Sequence, residues 1–170
     1  RNHSSAASDV YKRQALPPHV ALSMLQAGHR RFLSGVSPTA DLTPMQRQTV
    51  AREERPIAVV LTCADSRVAP EHVFDSGLGE LFVIRIHGNV VNDEALASVE
   101  YALGQLGTSL VICMGHQNCG AVAAAAAQGD GRHLSDNTRG LLARLLPALE
   151  QARSEDLNGE GAVERAIDLN

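Results

Sequence analysis

Two short segments hold most of the chain's unusual polar chemistry. The first is Cys63-Ala64-Asp65-Ser66-Arg67, and the second is Gly115-His116-Gln117-Asn118-Cys119-Gly120. Two thiolates and one imidazole are donor types that zinc prefers, so Cys63, His116 and Cys119 form a candidate ligand set. Three protein donors leave a fourth position open, as in catalytic rather than structural zinc sites. His116 and Cys119 lie at a short loop-to-helix spacing that can chelate one ion. Cys119 also falls near an expected helix N-terminus, where the dipole favours a thiolate. The plainer alternative is a buried cysteine pair beside an ordinary histidine. A His-x-x-Cys alone does not decide between these readings. Cys63 on a matching loop favours the metal. The third cysteine, Cys113, lies mid-strand between apolar neighbours and reads as core filler.

Asp65 and Arg67 stand two apart in one tight loop. As a surface ion pair they contribute little. Beside a metal they imply one of two states. Asp65 takes the fourth position itself, or it pairs with Arg67 and leaves that position to water, and only the second state is competent for attack by metal-bound hydroxide.

The elements that must position these residues follow from periodicity. Ile57–Thr62, Leu81–Ile86 and Ser109–Met114 are continuous β-rich apolar runs, which suit strands buried on both faces. Helices are expected over 17–35, opened by proline and closed by Gly35, and from 44 to about 53 behind the capping box Thr43-Pro44-Met45-Gln46. In the first of these, Val20, Leu22, Met24, Leu25 and Phe32 suit an apolar stripe. Further helices are expected over 93–106, 119–128, 138–153 and 160–170. Strands alternating with helices give an α/β fold: a central parallel β-sheet flanked by helices, with an N-terminal helical arm. Both chemical segments then leave the carboxyl ends of strands on one edge, where open α/β sheets bind ligands.

Composition narrows the class. The chain has 170 residues, 44% hydrophobic and 20% charged, enough to bury a core and too apolar for disorder. Three cysteines do not make a disulfide scaffold. A net charge of −4, 3% aromatics and no Trp give no footprint for nucleic acid. No apolar run reaches the ~18 residues of a membrane span. Residues 1–14, RNHSSAASDVYKRQ, lack an apolar signal core and read as a non-native or disordered leader. Residues 15–170 read as a single domain truncated at its C-terminus.

With these motifs in place, the chain resembles the β-class carbonic anhydrases. CADSRV at 63–68 and GHQNCG at 115–120 carry the resemblance, and LFVIR at 81–85, Asn89 and SVEYA at 98–102 extend it. The resemblance implies Zn2+ held by Cys63, His116 and Cys119, Asp65 and Arg67 as a catalytic dyad, and reversible hydration of carbon dioxide to bicarbonate and a proton. It further implies a homodimer or dimer of dimers, with Phe82, Tyr101 and Gly120 lining the substrate pocket. A cytoplasmic location is the default expectation. Glu54 stands where many relatives carry Gln, His87 where they carry a small apolar residue, and Val60 where one bicarbonate-inhibited branch has Trp. Two other readings keep the metal: hydrolysis of carbon disulfide or carbonyl sulfide, and a non-enzymatic zinc-binding or thiol-sensing module. A dinucleotide site is disfavoured, because Gly77, Gly79 and Gly88 do not form the required fingerprint.

Overall fold

The computed structural model describes residues 16–36, 43–129, 132–155 and 157–170. The leader expected over 1–14 lies outside the described residues. Three strands, β1 (Ala58–Thr62), β2 (Leu81–Arg85) and β3 (Val111–Met114), form a parallel sheet in the order β2-β1-β3. The central strand β1 is buried at every position, as its unbroken apolar run requires. The outer strands depart from expectation. β2 is only partly buried, and β3 alternates between exposed and half-buried residues. Cys113 is therefore exposed, not core filler, because it shares the open face of β3 with Val111.

Helices surround the strands. α1 (Pro18–Leu33) has proline in its first turn and ends near Gly35, whose φ of +68° suits a residue without a Cβ. Its buried face is Ala21, Leu25 and Gly28, not the longer stripe expected from its larger apolar residues. Gly28 explains the shift. A Cβ there would lie 1.8 Å from the Phe74 carbonyl oxygen, so the helix approaches along its smallest residues and leaves Leu22, Met24 and Phe32 exposed. α2 (Pro44–Val50) is capped by Thr43, whose hydroxyl accepts from the Gln46 amide at 3.2 Å. It stops three residues short of the expected end.

A short helix, α3 (Pro70–Val73), follows the Asp65 loop and was not expected. α4 (Asp93–Gly104) is capped by the side chain of Asn92. α5 (Gly120–Ala127) follows the second chemical segment. The helix expected over 138–153 is two helices, α6 (Asp136–Ala143) and α7 (Leu146–Ser154). Pro147 in the first turn of α7 supplies the break, since it has no amide proton and its ring would clash with a preceding helical carbonyl. α8 (Gly159–Leu169) ends the described chain.

The chain clusters into two compact units. Among the described residues, one comprises those through Val60 with Ala69–Ile84 and Asn92–Ile112, and the other comprises Leu61–Val68, Arg85–Val91 and those from Cys113 to Asn170. In the first, β1 pairs with its neighbours through Ile57 to Glu80 and Val59 to Leu110. The second holds the carboxyl ends of all three strands and an apolar cluster in which Leu142, Leu145, Leu149, Val122 and Ala166 are essentially inaccessible. Cys63 and Cys119 belong to that cluster.

Candidate metal centre

Both chemical segments fall within the second unit. β1 delivers Cys63 one residue past its end, and the hydroxyl of Thr62 ties that end to β3 by donating to the Met114 carbonyl at 2.8 Å. β3 delivers His116 two residues past its own end, and Cys119 caps α5. One donor atom from each of Cys63, His116 and Cys119 can be chosen so that all lie within 4.8 Å of one another. Donors on one tetrahedral zinc lie roughly 3.5–3.8 Å apart, so the group closes on an ion with shifts of about an ångström.

The histidine is set for coordination. Its Nδ1–H donates to the Gln117 carbonyl at 2.9 Å, which fixes the tautomer and leaves the Nε2 lone pair facing inward. Nε2 is buried and lacks a hydrogen-bond partner among the described residues. Such a ring nitrogen, grouped with the sulfurs of two buried cysteines, fits a cation with affinity for nitrogen and sulfur.

The thiols point the same way. Burial pushes the Cys63 thiol up, but the His116 ring and the amides of Gly88 and Asp65 outweigh it and bring the thiol below its ordinary value. The Gly88 amide approaches the Cys63 sulfur at 3.2 Å. Cys119 moves upward, chiefly from burial and also from neighbouring Cys63, although the amides of Ala121 and Val122 oppose the shift. Two adjacent buried thiols resist ionising together, and a divalent cation removes that conflict.

Asp65 and Arg67 meet as a pair beside this group. The Arg67 guanidinium donates through Nε to Oδ1 at 2.9 Å and through Nη2 to Oδ2 at 2.7 Å, and the Arg67 amide also donates to Oδ1. These bonds hold the Asp65 carboxyl well below the usual carboxylate range. Asp65 Oδ2 stands 3.9 Å from His116 Nε2. The same Arg67 Nη2 donates to the Asn118 carbonyl at 3.0 Å, joining the two chemical segments. Asn118 has a φ of +54°, a conformation that Asn tolerates better than most residues and that turns the chain into α5.

Three other residues were expected to line a pocket. Phe82 and Tyr101 belong to the first unit and face each other, ring centroids 6.3 Å apart, with Tyr101 half exposed. Gly120 opens α5, and a Cβ there would meet nothing within 4 Å, so packing does not require glycine. Glu54 and His87 are exposed, and Val60 is fully buried in β1. Two residues near the site were not singled out from sequence as contributors: Gly88, which supplies the amide to Cys63, and Arg85, which reaches the Cys63 carbonyl. The available signal was their position, at and just beyond the carboxyl end of the strand beside β1.

A parallel α/β sheet that offers a Cys–His–Cys group and an Asp–Arg pair at its carboxyl edge defines a metalloenzyme scaffold. A family model described as carbonic anhydrase matches residues 58–169. Carbonic anhydrase 2 of Mycobacterium tuberculosis is 38% identical over 142 residues, covering 83% of this chain and 69% of that protein. Among solved structures, the β-carbonic anhydrase CcaA aligns with a TM-score of 0.68 at 25% identity, over 87% of this chain and 69% of that one. The β-carbonic anhydrase CafA of Aspergillus fumigatus aligns at 0.66 and 27% identity, over 88% of this chain and 71% of that one. The chain belongs to the β-class carbonic anhydrases, which are zinc enzymes.

Proposed function

We propose that the chain hydrates carbon dioxide reversibly to bicarbonate and a proton, with Zn2+ held by Cys63, His116 and Cys119. The buried Nε2 of His116, without a hydrogen-bond partner among the described residues and on a ring grouped with two cysteine sulfurs, carries this reading. Zinc in such a site supplies Lewis acidity and makes bound water more acidic, less strongly than in a three-histidine site because two thiolates offset part of its charge.

The chain's own residues supply the rest. Asp65, kept ionised by Arg67, is an acceptor whose position is fixed by two side-chain bonds and one amide bond. It orients the reacting water by accepting its hydrogen bond. Arg67 holds Asp65 away from the metal and, through the Asn118 carbonyl, keeps the two ligand segments in register. The apolar cluster under Cys63 and Cys119 keeps the sulfurs away from bulk water and strengthens their interaction with a cation. We further propose assembly as a homodimer or dimer of dimers, supported by the apolar side chains that α1 leaves exposed.

Stopped-flow hydration on zinc-loaded protein tests the activity, with metal measured on the same sample. The expected result is hydration that disappears on chelation, returns with zinc and rises into mildly alkaline pH. Zinc-replete protein without hydration overturns the proposal. Assays with carbon disulfide and carbonyl sulfide alongside separate it from hydrolysis of those gases.

A further inference from the structure

On the side away from the second ligand segment, the Cys63 loop is held by residues 85–88, and chiefly by one side chain within them. Backbone pairing continues from β2 past its end: the Ile86 amide donates to Thr62 at 3.0 Å, and the Ala64 amide donates to Ile86 at 3.2 Å. The Gly88 amide reaches the Cys63 sulfur. Between them, the guanidinium of Arg85 donates through Nε to the Cys63 carbonyl at 3.1 Å and through Nη2 to the Asp65 carbonyl. One planar fork thus spans Ala64, gripping the backbone of the first metal donor and that of the catalytic carboxylate. No side chain from the second ligand segment bonds to either of those carbonyls among the hydrogen bonds of the described residues.

We propose that Arg85 is a positioning residue for the proposed hydration reaction: it locks the Cys63–Asp65 backbone so that the Cys63 sulfur and the Asp65 carboxylate keep a fixed mutual aim. The proposal rests on the zinc and dyad assignments above. Arg85 forms no ion pair with a carboxylate among the described residues, so its work here is donation to two carbonyls. A lysine carries one compact donor group and cannot reproduce a planar fork. The Asp65–Arg67 pair stays intact without Arg85, but the loop that carries it gains freedom, and small misplacements of reacting groups are costly.

The test compares wild type, Arg85→Ala and Arg85→Lys. Each variant is checked for fold by circular dichroism and loaded with zinc or, separately, cobalt(II). Amide exchange over residues 62–68 is measured on the metal-free protein. The expected Arg85→Ala result is faster exchange in that peptide, an altered cobalt(II) visible spectrum, and kcat lower by about tenfold or more with little change in KM. Added guanidinium restores part of the loss, and Arg85→Lys falls between the other two. Should Arg85→Ala fail to fold, the cobalt spectrum and exchange of Arg85→Lys decide. Wild-type exchange and spectrum in the variants overturn the proposal, as does a rise in KM without a change in kcat, which marks a substrate contact. Failure of the zinc-hydration reading shows separately, as wild-type protein that binds metal without turnover.

Discussion

The proposed function gives Cys63, His116, Asp65 and Arg67 separable duties, and single substitutions test that division. Cys63→Ser and His116→Ala each remove a donor from a three-donor set, so both proteins should purify with little zinc by elemental analysis. Arg67→Ala leaves the donors in place and should retain metal, with activity lower by about 10–100-fold, the usual range for residues that orient a metal site. Equal zinc loss in all three variants contradicts this division. The pair also has a pH signature in metal-free protein. Arg67 holds the Asp65 carboxyl below its ordinary value, so its folded pKa lies below the unfolded ~3.9. A depressed carboxyl contributes stability that is present above the unfolded value and lost as pH falls through the folded one. The difference in melting temperature between wild type and Arg67→Ala should therefore narrow as pH drops below about 4. A gap that stays constant or widens toward acid contradicts the pairing.

At the scale of elements, the continuous apolar run of β1 and the proline-led start of α1 were legible in sequence because each follows a local rule. The two chemical segments were legible as well, since cysteine, histidine and paired charges are rare enough to stand out. What sequence left hidden depended on neighbours. Cys113 looks identical on a central or an outer strand, and its exposure follows only from strand order. The buried face of α1 runs through Gly28 because a backbone carbonyl presses against it, and no periodicity reports a carbonyl. Arg85 grips main-chain carbonyls and Gly88 acts through its own amide, contacts that sequence does not display. These contacts set the cost of substitution. Leu149 in α7 is fully buried, and Leu149→Ala should destabilise the protein by about 2–5 kcal/mol in denaturant unfolding. Gly28→Ala forces a methyl into the Phe74 carbonyl and should cost about 1–3 kcal/mol. If both variants unfold like wild type, the packing described is wrong.

At the scale of the whole molecule, the proposed metal group draws on segments from distant parts of the chain. Cys63 comes from one strand end, while His116 and Cys119 come from another more than fifty positions later. Such a group forms only when the parallel sheet forms, so metal affinity and folding are coupled. The remaining cysteine stands apart on the exposed face of β3, which makes a sulfur count at the metal informative. Zinc K-edge X-ray absorption on the loaded protein, with Cys113→Ser as control, reads that count directly. The account predicts two sulfurs at about 2.3 Å and nitrogen or oxygen donors at about 2.0–2.1 Å, unchanged in the control. A shell without sulfur, a shell of three or four sulfurs, or a shell altered by Cys113→Ser contradicts it.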